Sequence, residues 1–321
     1  MFLKQIVIVS TGVVSLIGAV HAQPFPSRAV RAIVPYAPGG STDVVMRIIA
    51  PHMSQMLGQQ VVVENRPGGS STIGLDIAAK AAPDGHTMGI ANLTFVANPS
   101  LISRMPFNSE RDLAPVSFMS LVTFALAVHP SVPAQNVKDL IALAKARPGA
   151  LNYASAGQVS ANHLATERFS AATGIKMTHV PYKGGGPAVV ALVSGETALL
   201  FATIPSSIQH FKTGRLRALG VSSLKRNVAM PDLPSIAEQA VPGFEAAEWN
   251  GALVATGSPR AAIDRLHQAI AKAMQIPEVR ERIIALGADP VGNSPEEFGA
   301  YLKREFAVWA KLVKEVGIKV E

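Results

Sequence analysis

The chain contains no cysteine. Its absence removes disulfides, thiolate zinc sites, iron–sulfur clusters and cysteine nucleophiles together. Charge is sparse as well: 16% of the 321 residues are charged and 6% are aromatic. The balance is basic, with a formal net charge of +7, but there is no run of Lys and Arg and no basic stripe interleaved with aromatics. Nucleic acid is therefore not an expected partner, and the charge reads as solubility and attraction for anions. The eight histidines are scattered, with no pair at metal-ligand spacing. No Gly-x-Ser-x-Gly elbow, His-Glu-x-x-His or Gly-x4-Gly-Lys-Ser phosphate loop occurs. Ser222-Ser223-Leu224-Lys225 and Lys212-Thr213-Gly214 match two pieces of a β-lactamase signature, but in reversed order and almost adjacent, as chance would leave them. Neither a cofactor nor a metal is expected. Beyond the N-terminus no run is long and apolar enough to cross a bilayer.

The N-terminus carries an export signal. Lys4 is the only charge before an apolar core from Ile6 to Val20, and Val20-His21-Ala22 makes a small-residue cleavage pattern ahead of Gln23. Residues 1–22 are expected to be a signal peptide cleaved after Ala22, leaving a soluble periplasmic protein; the alternative is an uncleaved anchor. No cysteine stands at the cleavage site to take a lipid.

The rest of the chain is organised around Ile33-Val34-Pro35-Tyr36-Ala37-Pro38-Gly39-Gly40-Ser41-Thr42-Asp43. Ile33 and Val34 end an apolar run suited to a buried strand. Pro35, Pro38, Gly39 and Gly40 break it, and Val44, Val45, Ile48, Ile49, Met56 and Leu57 resume with helical spacing. Ser41 or Thr42 is placed to cap the helix, with Asp43 in the first turn where negative charge is favoured. A helix start leaves about four backbone N–H groups unpaired, and a Gly-Gly turn lets an anion approach them. A plain capped helix satisfies the same pattern, and Asp43 can serve as a first-turn cap or as a ligand contact.

That unit recurs. Leu151-Asn152-Tyr153 reads as a strand, Ala154-Ser155-Ala156-Gly157 as a turn and Ser160 to Ala172 as a helix ended by Gly174. Ile175 to Val180, the Pro181-Tyr182-Lys183-Gly184-Gly185-Gly186 turn and a helix opened by Pro187 at its first position make a third instance. Alternating strands and helices with glycine turns argue for α/β lobes, each a mainly parallel sheet flanked by helices. In such sheets ligands sit outside the carboxyl ends of the strands, where Ala37–Asp43, Arg66–Ser71 and Asn92–Thr94 gather. The apolar runs at 118–128 and 249–255 are the expected crossings between lobes. This divides the chain into a first lobe of 23–124 plus 250–321 and a second lobe of 125–249. Near the C-terminus Ser294-Pro295-Glu296-Glu297 reads as a capping box, and Phe298, Leu302, Phe306, Trp309 and Val313 as the inner face of a core helix.

Several of these stretches, in this order, resemble one family. They are Ile33–Asp43, Val63-Glu64-Asn65-Arg66-Pro67-Gly68, Pro83-Asp84-Gly85 with Thr87, Tyr153–Gly157, His179-Val180-Pro181-Tyr182-Lys183-Gly184, and Trp249 with Gly251. The mature chain is similar throughout to the substrate-binding receptors of tripartite tricarboxylate transporters, the Bug family of periplasmic proteins. The resemblance implies a two-lobed periplasmic binding protein of the type II-like, Venus-flytrap kind. Such a receptor closes on a small organic anion, a mono- or dicarboxylate, and delivers it to a two-component integral membrane permease. The receptor itself is expected to be a monomer and no enzyme. The resemblance also implies a ligand held by backbone N–H groups, hydroxyls and waters. On this chain the first-lobe contacts would be Ala37, Gly39, Gly40, Ser41, Thr42 and Asp43, with Thr94. Those of the second lobe would be Ser155, Gly157, Ser160 and His163, with Thr203 at a strand end. His163 can equally be a satisfied structural histidine. Gly68-Gly69-Ser70-Ser71 stands where the family often has Gly-Ala-Gly-Gly, and Ala198 where it often has Asp. Two other functions remain open on the residues: a periplasmic sensor feeding a two-component kinase, and a secreted hydrolase.

Overall fold

A computed structural model of the chain describes residues 25–316 apart from Lys183; the expected signal peptide lies outside the described residues. Chain order follows the glycine punctuation. Strand β1 (Val30–Val34) leads through Gly39-Gly40 into helix α1 (Ser41–Leu57), which Gly58 ends in the left-handed conformation, φ 71°. Next come β2 (Val61–Asn65), α2 (Thr72–Ala79), β3 (Thr87–Ala91), α3 (Thr94–Leu101) and the long strand β4 (Leu113–Val128). The middle of the chain forms α4 (Val137–Ala146), β5 (Asn152–Ser155), α5 (Ala161–Thr173), β6 (Thr178–Pro181) and α6 (Gly185–Val193). It continues through β7 (Leu199–Thr203), α7 (Ile204–Lys212), β8 (Arg217–Val221) and α8 (Ile236–Gln239). It closes with β9 (Ala247–Ala255), α9 (Arg260–Gln275), α10 (Pro277–Ala285), β10 (Ala288–Asn293) and α11 (Pro295–Val316).

β4 is the central strand of both lobes. From Leu113 to Thr123 it runs antiparallel to β9, with β10 along its other edge. From Phe124 to Val128 it lies between β7 and β8. The first lobe therefore holds the order β2-β1-β3-β9-β4-β10, and the second β8-β4-β7-β5-β6. Pairing is parallel within β2-β1-β3 and within β6-β5-β7. It is antiparallel wherever β4 or β9 takes part. The lobes are thus mixed sheets rather than mainly parallel ones, because a strand that carries the chain out and one that brings it back must run against each other. The run 118–128 lies in the crossing strand as expected. The run 249–255 does not cross: β9 pairs only within the first sheet, and the return passes just upstream, where Ala246 N donates to Ser222 O and Ser222 N to Phe124 O. Pro187 is the third residue of α6 rather than the first.

Three apolar clusters hold these layers. One packs α1, α9 and α10 on one face of the first sheet, and a small one lies under α6 in the second lobe. The third is continuous through both lobes, from Phe95, Phe298 and Trp309 to Tyr153, Phe169 and Phe201. The α11 stripe is buried as its spacing predicts: Phe298, Leu302, Trp309 and Val313 face inward, and Phe306 meets Phe95 edge-on. The capping box forms, with Ser294 N donating to Glu297 Oε2 at 2.9 Å and Glu297 N to Ser294 Oγ at 3.2 Å. Trp249 and Gly251 sit under this helix, and a Cβ at Gly251 would lie 2.2 Å from Phe298 Cζ.

Candidate functional site

In the first lobe the ends of β1 and β3, the start of α1 and the start of β9 meet. Gly40 is the N-cap of α1, and no side chain caps the helix. The expected caps are engaged elsewhere: Ser41 Oγ donates to Glu248 Oε1 and Thr42 Oγ1 to Asn250 Oδ1, both at 2.5 Å. Ala37, Gly39 and Gly40 are exposed, so the first-turn amides lie behind a turn without bulky side chains. Asp43 is buried and looks back at that turn. Gly39 N donates to its Oδ2, and Arg47 Nε and Asn65 Nδ2 to its Oδ1, each at 2.9 Å. Burial by itself would raise this carboxyl, but the Gly39 amide, Arg47 and Asn65 outweigh it and hold the group below the usual carboxylate range. Asp43 thus fixes the shape of the glycine turn.

Thr94 joins the same region through a shared acceptor. Its N and Oγ1 donate to Asn92 Oδ1 at 3.0 and 2.9 Å, and Tyr36 OH donates to that oxygen at 2.5 Å. Ser71 Oγ lies 2.9 Å from Thr94 Oγ1. Asn92 Nδ2 in turn donates to Glu248 Oε1 at 3.2 Å. Burial pushes the Glu248 carboxyl up, against the Ser41 and Asn92 hydrogen bonds, and pushes the Tyr36 phenol up as well.

In the second lobe the turn between β5 and α5 is tied from inside. Ser155 is fully buried; its Oγ donates to Gly157 O at 2.9 Å and lies 2.6 Å from His179 Nε2. Ser160 Oγ donates to Gly157 O at 2.7 Å, and Gly157 has φ 132°, a conformation glycine tolerates. Val159 takes φ 60°, a left-handed position that costs a β-branched residue about 1–3 kcal/mol. His163 Nδ1 holds it there by accepting from Val159 N at 3.0 Å. The His163 ring stacks on His179 with centroids 3.9 Å apart, Tyr153 stacks beyond, and the Tyr153 hydroxyl donates to Glu167. Burial, then the neighbouring His179, lowers His163 to a pKa of about 3, so the ring is neutral. Thr203 stands apart: it is the N-cap of α7, its hydroxyl paired with Ser206.

The predicted residues therefore form one bonded group per lobe, with Thr203 outside the second. Among the described residues no hydrogen bond joins the two groups. Residue patterns had missed Glu248, Asn250, Tyr36 and His179. For Glu248 a signal existed, an acid at the mouth of a strand that carries no other charge. A cavity of about 470 Å³ lies elsewhere, between α5 and α11. Its lining carries Arg168 and Arg304 together with Glu245, Glu297 and Glu305, so it offers an anion no excess of positive charge. Ser222, the serine of the hydrolase reading, is fully buried, and its hydroxyl accepts from Phe124 N at 2.9 Å. Among the described residues no helix is long and apolar enough to cross a membrane, and no cluster of His, Asp and Glu has metal-site geometry.

Two α/β lobes on a shared strand, each opening a glycine turn and a helix N-terminus at its strand ends, define a two-lobed solute-binding protein. Residues 45–318 match the tripartite tricarboxylate transporter family receptor. The chain is 37% identical to protein BugT of Bordetella pertussis over 304 residues, which cover 94% of this chain and 93% of that protein. Among solved structures it is similar to Rpa4515 of R. palustris with adipate, at 34% identity and a TM-score of 0.84, covering 92% of this chain and 100% of the other. It is also similar to MatC of Rhodopseudomonas palustris with bound malate, at 29% identity and a TM-score of 0.80, covering 90% and 100%. The chain belongs to the tripartite tricarboxylate transporter receptor family, the Bug proteins, which are periplasmic solute receptors and not enzymes.

Proposed function

We propose that this receptor binds a small organic mono- or dicarboxylate between its lobes and presents it to a two-component integral membrane permease. The observation that carries this reading is the uncapped start of α1 behind the exposed Gly39-Gly40 turn, held in shape by Asp43. A carboxylate there meets backbone donors and the positive end of a helix. The lobes, 23–124 with 250–321 and 125–249, close about β4 and bring up the second-lobe turn of Ser155, Gly157, Ser160 and His163, with Thr203 at the rim. In the first lobe Ala37, Gly39, Gly40, Ser41 and Thr94 line the ligand, while Thr42 and Asp43 set the backbone. One helix terminus contributes about 0.3–2 kcal/mol, and micromolar affinity needs roughly 8 kcal/mol. Hydrogen bonds formed as the closing cleft excludes water must supply most of the difference. The adipate and malate seated in two relatives support a carboxylate. Removal of residues 1–22 on export precedes this function.

The test is a thermal-shift screen of the purified protein against organic acids at neutral pH. A ligand at about 100 times its Kd adds about 2.7 kcal/mol to stability, a clear rise in Tm. The reading fails if no acid raises Tm and denatured protein releases none.

A further inference from the structure

The first-lobe site holds one strong acceptor beside the helix start, and its surroundings constrain what it can meet. β9 alternates: Trp249 turns into the apolar core, while Glu248 and Asn250 turn toward α1. Glu248 is half-buried under Ser41, the first residue after the Gly39-Gly40 turn. The hydrogen bonds around it run in one direction. Tyr36 and Thr94 donate to the Asn92 amide oxygen, and the Asn92 amide nitrogen donates to Glu248 Oε1, where Ser41 also donates. This chain of donors ends on Oε1. Among the described residues none donates to Oε2, and no ion pair includes Glu248. The cation of the α1 first turns, Arg47, is already tied to Asp43 and Asn65. The carboxyl is pushed up by burial, which is what a site short of donors does to an acid.

We infer that Glu248 selects the ligand's substituent: its free carboxylate oxygen accepts a hydrogen bond from a hydroxyl or ammonium group beside the ligand's carboxylate, so the receptor takes 2-hydroxy or 2-amino acids in preference to the plain acids. This deepens the receptor reading above and rests on it. A plain dicarboxylate brings only acceptors and CH groups to this corner and leaves Oε2 unpaired in a closed cleft. A 2-hydroxy or 2-amino acid carries an acceptor for the α1 amides and, one carbon away, the donor that Oε2 lacks. A site built around such a bond discriminates strongly against an analogue without the donor, because its own buried group is then left unsatisfied.

The experiment is isothermal titration of the refolded protein with two matched series. Succinate, malate and aspartate share one skeleton and differ only at C2; glutarate, 2-hydroxyglutarate and glutamate form the second series. The expected result is that, in at least one series, a hydroxy or amino acid binds about tenfold or more tighter than its parent. In Glu248→Gln, which keeps the size and an oxygen for Ser41 and Asn92, the gap should shrink to less than about threefold. Glu248→Asp, which keeps the charge, should retain the preference at lower affinity. Equal binding of parents and derivatives, or a preference unchanged in a folded Glu248→Gln, overturns the inference and leaves the receptor reading standing. No binding by any of the six acids overturns the inference, and it overturns the receptor reading as well if denatured protein releases no acid.

Discussion

His163 shows how one residue can shape a candidate site through the backbone beside it. Its Nδ1 accepts from Val159 N, so the ring must be neutral there, and it holds a left-handed valine in the turn. Burial and the stacked His179 keep its pKa near 3 in the fold, against about 6.5 in the unfolded chain. Below pH 6.5 the unfolded chain takes up a proton that the fold refuses. The contribution is therefore complete above pH 6.5 and is lost as pH falls toward 3, with a limiting slope of about 1.4 kcal/mol per pH unit. Urea unfolding between pH 7 and 4.5 should show stability falling with pH, and His163→Gln should remove about one proton's share of that slope. Identical slopes would mean that His163 titrates freely. Asp43 acts in a lower window, since its depressed carboxyl gives up stability only as pH drops below the ordinary carboxylate range. Both residues are visible in the sequence as candidates. Their roles are not, because His179 and Asn65 reach them from other elements and no local spacing encodes that.

At the scale of elements, α1 and β9 carry the clearest consequences. Gly40 has an ordinary φ of −70°, and a Cβ there meets only Ala37 O at 3.5 Å. Gly40→Val should therefore fold, losing about 1 kcal/mol for a poor N-cap. Its side chain would obstruct anion access to the α1 amides, so ligand affinity should fall at least about tenfold. Unchanged affinity by calorimetric titration would move the site away from this turn. Gly251 lies in the opposite situation, with Phe298 against its α-carbon, and Gly251→Ala should cost about 1–3 kcal/mol in urea unfolding by forcing α11 off β9. The helices α1 and α11 were legible from their apolar spacing, although of their expected caps only the box at Ser294 forms. Two elements were not. α3 begins directly at the strand end and contains Pro99, so it reads as loop. β10 is an edge strand of Ala-Asp-Pro-Val-Gly-Asn, whose pairing with β4 comes from tertiary contact rather than β-propensity.

For the whole molecule, the two lobes were legible as a repeated strand, glycine turn and helix, whereas the direction of the crossing strands was not, since alternation of apolar residues carries no information on which way a neighbour runs. That direction has a thermodynamic consequence. β4 is hydrogen-bonded on both sides in both lobes, so neither sheet is complete without it. The largest apolar cluster continues along it, with Phe118, Trp249 and Phe298 packed in the first lobe and Phe124, Phe201, Phe169 and Phe244 in the second. Melting one lobe would strip β4 of its partners there and expose half of a shared core. Scanning calorimetry should accordingly give one transition whose van't Hoff and calorimetric enthalpies agree, and a bound acid should move that single peak upward. Two resolved peaks, with only one of them responding to ligand, would show instead that the lobes fold as independent domains and that the common strand transmits no stability between them.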